Sequence, residues 1–212
     1  MALCDADYNF LYVDVGVQGR ECDAGVFLDT DLYAAIQQNT LQIPSNRSLP
    51  GRDAGLPFVI VGDDAFAMSE HIMKPFIGRH SKGSVERAFN YRHSRARRVI
   101  ENVFGIMSSV FRVLRKPMLL QPERARWVTL SCAYLHNFLR KHSSAETYCT
   151  AQVLDSEDED GNVIEGTWRN EGVVLPGLRW CKERGENPGT LVRRELAYFF
   201  HSQPLSWQNQ FA

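Results

Sequence analysis

Residues 59–76, VIVGDDAFAMSEHIMKPF, decide how the chain is read. The apolar run Phe58–Val61 stops at Gly62 and two adjacent aspartates, Asp63 and Asp64, and AFAMSEHIMKPF then reads as a short helix stopped before Pro75. A continuous apolar run of this kind is the pattern of a strand buried on both faces, in a sheet that helices cover. Asp63 therefore stands just past the C-terminal end of a buried strand, where α/β folds place functional groups. A structural role is open to it as well, because aspartate is a preferred N-cap for a following helix.

Upstream, MALCDADYNFLYVDVGVQG reads as two strands around a polar turn at Asp5–Asn9. ECDAGVFLDTDLYAAIQQNTL has helical spacing at Val26, Leu32, Ala35 and Ile36, with Thr30 or Asp29 as a cap in its middle. QIPSNRSLPGRDAGLP is loop. Downstream, Ser84 caps a long helix whose apolar stripe recurs at Val99, Ile100, Val103, Phe104, Met107, Val110, Phe111 and Leu114. A further helix starts at Pro122 and runs through ERARWVTLSCAYLHNFLRKH. On it, Trp127, Tyr134 and Phe138 read as core, and His136 with Asn137 as a hydrogen-bonded core pair. LDSEDEDGNVIEG carries Asp155, Glu157, Asp158, Glu159 and Asp160 with little apolar content, so it reads as a solvated, mobile linker. The chain ends in a short helix, TLVRRELAYFFHSQ, and the aromatic-bearing PLSWQNQFA. Strands with helices between them predict an α/β layered domain.

Composition narrows the classes. The 212 residues are 44% hydrophobic and 23% charged, as in a globular domain with a tail. The net charge of −1 means that any basic surface is local. Five cysteines, an odd number without a CxxC pair, fit a reduced compartment, nucleus or cytoplasm, better than a disulfide scaffold or zinc site. Asp5, Asp7 and Asp14 argue against a signal peptide, and no apolar run reaches membrane-spanning length.

Two features carry chemistry. Asp63 and Glu101, the latter in RRVIENVFG beside the apolar stripe, are carboxylates from different elements that can share a divalent cation. Oxygen-only ligation suits Mg²⁺ or Mn²⁺. Such an ion activates water and stabilises developing charge in phosphodiester cleavage. The plainer alternative leaves Asp63 as a cap and pairs Glu101 with Arg97 or Arg98. Asp23 is a third carboxylate or a helix N-cap, and the residues alone favour the cap. The second feature is RAFNYRHSRARRVIE, where Arg87, Arg92, Arg95, Arg97 and Arg98 occur with Phe89 and Tyr91 and no acid before Glu101. Arginine forks match phosphates and aromatic rings stack on bases, so the run is either a DNA-binding face or a solvated helix face.

In order along the chain, DVGVQGRECDAGVF, VIVGDDAF, KPF, FNYRHSRARRVIENVFGIMSSVFRVL and AYLHNFL resemble the DDE nuclease domain of Harbinger-type transposases and their domesticated relatives. RRELAYFFHSQPLSWQ resembles the tail that often closes them. The resemblance implies a ribonuclease H-like fold, with three acidic residues holding two divalent metals (Mg²⁺ or Mn²⁺) for DNA cleavage. It also implies a nuclear location and a Myb-like DNA-binding partner protein. By position, Asp63 matches the second catalytic aspartate, and Glu101 matches the catalytic glutamate of an R-x-x-x-E-x-x-F-G helix motif, here Arg97 to Gly105. Asp23 matches a recurrent aspartate, although Gln18, Gly19 and Arg20 replace the usual Pro-Gly-Ser before it. The first catalytic aspartate belongs to a strand ahead of LCDADYNF, and Asp5 matches a recurrent aspartate of the second strand instead.

The expectation is thus an N-terminally incomplete ribonuclease H-like α/β domain over residues 1–145. An acidic, largely disordered linker (146–188) and a C-terminal helix and tail (189–212) follow. Phe58–Val61 would lack its neighbouring strand, and metal affinity and turnover would be weakened. The alternative reading is a non-catalytic DNA- or chromatin-binding protein.

Overall fold

The computed structural model describes residues 1–17, 23–142, 148–171 and 188–212. In chain order the elements are β1 (Ala2–Cys4), β2 (Phe10–Val13), α1 (Asp23–Leu28), α2 (Asp31–Gln37), β3 (Arg47–Ser48), β4 (Gly55–Leu56), β5 (Ile60–Val61) and β6 (Ile72–Met73). Then come α3 (Val85–Val110), α4 (Pro122–His142), β7 (Ser156–Glu157), β8 (Val163–Ile164), α5 (Pro188–Ser202) and α6 (Gln208–Phe211). Among the described residues the strands pair two by two: β5 with β6 in parallel, the other three pairs antiparallel. Helices with small sheets agree with an α/β class. No helix among the described residues is long and apolar enough to cross a membrane. Two compact units divide the chain: Met1–Glu21 with Arg98–Gly177, and Cys22–Arg97 with Leu178–Ala212.

In the first unit, the β1–β2 hairpin turns where the sequence predicts. Asp5 Oδ1 accepts the backbone N–H groups of Asp7 and Asn9, both at 2.9 Å. This is how an aspartate side chain builds a turn from its own backbone. Phe10 of β2 packs with Val103, Met107, Cys132 and Ala133 from α3 and α4. The Asn137 amide donates to the Phe10 carbonyl and accepts its N–H, each at 2.8 Å. His136, wholly buried, bonds the Tyr148 hydroxyl (2.8 Å) and the Tyr8 carbonyl (2.7 Å). This pair is the hydrogen-bonded core feature expected. The neighbouring aromatics correct the reading: Trp127, Tyr134 and Phe138 are 60, 76 and 57% exposed. They share a face of α4 opposite Cys132, Ala133 and His136, and helical spacing alone does not say which of two apolar faces is covered.

The acidic stretch is the larger correction. Residues 148–171 do not run out as a solvated linker: Asp155 and Trp168 are buried, 6 and 3% exposed. Apolar content was low, but one tryptophan and a set of paired polar groups suffice to fold the segment back. The remainder of the expected linker lies outside the described residues.

In the second unit, Thr30 caps α2, its hydroxyl accepting the Tyr33 N–H at 3.1 Å. Two further expectations fail here. The strand is shorter than FVIV and is not buried on both faces: Phe58 is 44% and Val61 37% exposed. AFAMSEHIMKPF is not a helix. The Ile60 N–H donates to the His71 carbonyl (2.7 Å) and the Gly62 N–H to the Met73 carbonyl (2.9 Å). These ladder bonds draw residues 72–73 into β6 and outweigh the local helical spacing. Met68, Met73, Phe89, Val192 and Ala197 form this unit's core, so α5 is an integral part of it. Arg193 of α5 is buried, stacked 4.2 Å over the Phe76 ring, and donates to the Pro75 carbonyl (3.2 Å). Ser84 Oγ accepts the Arg87 N–H at 3.2 Å, the cap expected for α3.

Candidate functional site

Asp63 follows β5 by one glycine and is buried (9% exposed). Its Oδ1 accepts the Ala65 N–H at 2.9 Å, which turns the chain immediately after the strand. The capping chemistry foreseen for Asp63 is present, then, but it shapes a turn and not a helix start. Lys74, at the end of β6, is fully buried, and its Nζ donates to the Asp64 carbonyl at 3.2 Å. A fully buried lysine is rare without partners.

His93 fixes the same strand pair to α3. Its Nε2 lies 3.2 Å from the Met73 carbonyl, and the Gly62 carbonyl also faces the ring. Burial, joined by the nearby Arg97 and Arg193 charges, outweighs the raising effect of the two carbonyls and takes the imidazole pKa down to about 4. At neutral pH the ring is uncharged and serves as a hydrogen-bonding bolt at the carboxyl end of β5. In the sequence His93 is one residue within the arginine-rich RAFNYRHSRARRVIE, where its immediate neighbours do not mark it as buried. Its spacing of four from Phe89, on the buried face of α3, was the available signal.

Glu101, in the first unit, sits in a different environment. Its Oε2 lies 3.4 Å from Arg169 Nη2, and its side chain remains 30% exposed. Arg169 is held more tightly by Asp155, through Nη2 to Oδ2 at 2.6 Å and Nε to both oxygens at 2.9 and 3.1 Å. The Arg169 guanidinium lies 4.5 Å over the Trp168 ring. Burial raises the Asp155 carboxyl, but the Arg169 and Gly166 hydrogen bonds and the Arg169 charge outweigh it and hold the pKa below the usual value. Asn102 ties the group to α3: its Oδ1 accepts the Asp155 N–H (2.9 Å) and the Trp168 Nε1–H (3.1 Å), and its Nδ2 donates to the Asp155 carbonyl (3.3 Å). Gly105 is glycine because a Cβ there would overlap the Trp168 indole. Composition concealed Asp155 within an acidic run, so this network had no sequence signal.

The remaining candidates are placed as follows. Asp5 spends its carboxylate on the β1–β2 turn, where the Asn9 amide also meets both of its oxygens (3.3 and 3.1 Å). Asp23 opens α1, and its side chain lies outside the described residues. Arg87 donates to the Phe211 carbonyl (2.8 Å), and Arg92 to Gln208 Oε1 (2.6 Å) and the Gln203 carbonyl (2.9 Å). Arg95 lies over the Tyr91 and Trp207 rings at 5.8 and 5.4 Å. Arg98 pairs with Glu157 at 2.8 Å. Much of the basic run thus secures the C-terminal helices and the β7–β8 segment.

Residues 1–137 match the family model described as DDE superfamily endonuclease. The chain belongs to that family. No curated protein and no solved structure matches it. The match contains Asp63, Lys74, His93 and Glu101 and ends before Asp155, Trp168 and Arg169. DDE endonucleases are nucleases that normally work with a divalent metal. A carboxylate such as that of Asp63 or of Glu101 offers oxygen donors only, a donor chemistry that fits a hard cation such as Mg²⁺ or Mn²⁺. Among the described residues no group of three or more His, Cys, Asp or Glu side chains is gathered around a common ion position.

Proposed function

We propose that this DDE endonuclease is a Harbinger-type, transposase-derived DNA nuclease with a ribonuclease H-like fold, acting in the nucleus beside a Myb-like DNA-binding partner. The observation that carries the reading is the match over residues 1–137, a span that contains both Asp63 and Glu101. Asp63 and Glu101 serve as metal ligands. Bound Mg²⁺ or Mn²⁺ supplies Lewis-acid stabilisation of charge on the phosphate and a lowered pKa for water. The protein's own part is positional. The Asp63 carboxylate is fixed by the Ala65 N–H at the end of a strand that His93 bolts to α3, and Glu101 projects from α3 with its carboxylate partly open to solvent. Arg95 and Arg97, both on α3, are the residues we assign to the DNA backbone, since a guanidinium fork matches phosphate geometry.

Nicking of supercoiled plasmid by the chain with Mn²⁺, beside Asp63→Asn and Glu101→Gln, tests this reading. Asp63→Asn keeps an oxygen for the Ala65 N–H, so it should melt close to wild type while losing activity at least tenfold. Asp63→Ala should lose the turn bond too, at a cost of about 1 kcal/mol. Wild-type nicking rates in both conservative variants would defeat the proposal. A second reading, a non-catalytic DNA- or chromatin-binding protein, is favoured by the arginine–aromatic group of Arg95, Tyr91 and Trp207, which suits base stacking. Salt-sensitive DNA binding that survives chelators, without any nicking, is its signature.

A further inference from the structure

We propose that Arg169 is a positioning residue for Glu101, delivered by a strap, residues 154–169, that lies outside the family match. The inference rests on the catalytic reading of Glu101 given above.

The geometry separates orientation from capture. Arg169 makes three contacts of 3.1 Å or less to Asp155 and one of 3.4 Å to Glu101. Its charge is matched by Asp155, whose side chain is fully buried and accepts the Gly166 N–H at 2.8 Å. The group Glu101–Arg169–Asp155 therefore carries a net charge of −1, the same as Glu101 alone. The arginine restrains the glutamate's rotamer without cancelling the negative charge that a cation would meet. Glu101 also stays 30% exposed, so the strap does not cover it.

The strap is built to put Arg169 in one place. Asn102, next to Glu101 on α3, clamps the strap backbone at Asp155 and the Trp168 indole together. The Trp168 ring fills the space that Gly105 leaves one turn along the helix. The Arg98–Glu157 pair is a third attachment. A solvated linker needs none of these contacts, and their common result is a fixed guanidinium beside Glu101.

Groups that orient a metal-binding side chain typically change metal affinity by about 10- to 100-fold when removed. The test measures Mn²⁺ binding to the full chain, by the electron paramagnetic resonance of free Mn²⁺, with melting curves in parallel. Arg169→Ala should weaken binding about tenfold, and Arg169→Lys, which keeps the charge but not the planar fork, should recover only part. In the Glu101→Gln background, Arg169→Ala should change Mn²⁺ binding no further, although it still lowers the melting temperature there through loss of its Asp155 contacts. If Arg169→Ala melts below the assay temperature, Arg169→Gln, which can still donate to Asp155, takes its place with the same expectation. Should Glu101→Gln weaken Mn²⁺ binding while the Arg169 variants bind it as well as or better than wild type, positioning is overturned and the catalytic reading survives. Unchanged Mn²⁺ binding in Glu101→Gln would bring down the catalytic reading, and the inference with it.

Discussion

His93 is the residue at which a stability measurement says most about the second unit. Its ring is 5% exposed, donates an N–H to the Met73 carbonyl, and titrates near 4 in place of the ordinary value of 6.5. The folded protein therefore refuses a proton that the unfolded chain accepts. Stability is complete above about pH 6.5, falls as the unfolded state protonates below that, and levels off near the folded value of about 4. The size of the effect follows from about 1.36 kcal/mol per unit, on the order of 3 kcal/mol across the window. Urea unfolding at a series of pH values should show this slope in wild type. His93→Gln retains a side-chain amide able to bond the Met73 carbonyl, so it should flatten the difference between pH 4 and 6.5 while leaving a folded protein. An unchanged profile in that variant would mean that other groups carry the pH dependence.

At the scale of elements, the contact between α3 and the 154–169 strap is the one that sequence reading could not reach. The helix itself was legible, because Ser84 and the apolar stripe from Val99 to Met107 define its start and its buried face. The Asp5 turn, the Thr30 cap and the Pro122 start of α4 were legible for the same reason: each is a local rule obeyed locally. β6 and the strap were not, because their backbone partners lie in other segments. Helical spacing in AFAMSEHIMKPF and acidity in LDSEDEDG are true of the sequence and do not decide the structure. The strap contact makes a sharp prediction. Gly105→Ala places a methyl group into the Trp168 indole and should cost about 1–3 kcal/mol, the usual range for an overpacked site. Trp168→Ala should destabilise by about 3 kcal/mol or more through loss of the buried ring. The double variant should be distinctly less destabilised than the two costs combined, since the alanine methyl then has room. Denaturant titrations of the four proteins check this, and strict additivity would separate Gly105 from Trp168.

At the scale of the whole molecule, charge rather than packing is the open question. The chain has 24 Lys and Arg against 25 Asp and Glu, so attraction to DNA depends on where the cations point. Five arginines between residues 87 and 98 suggested a phosphate-binding face, yet Arg87, Arg92 and Arg98 are spent on the C-terminal helices and on Glu157. Releasing them to bind phosphate would break contacts that hold each unit together, so they should stay where they are. Each phosphate contact on duplex DNA contributes about −0.9 to the slope of log affinity against log salt. Five arginines on the backbone would give about −4.5, and each arginine that keeps its internal contacts instead takes about 0.9 from the size of that slope. Fluorescence anisotropy of a labelled duplex across a salt series should return a slope well short of about −4.5. Arg95→Ala should then reduce that slope by about one unit, and Arg92→Ala should lower the melting temperature with little change in slope. A slope near −4.5 would mean that the arginines leave their internal acceptors on binding, and that the C-terminal helices are released from α3 when DNA arrives.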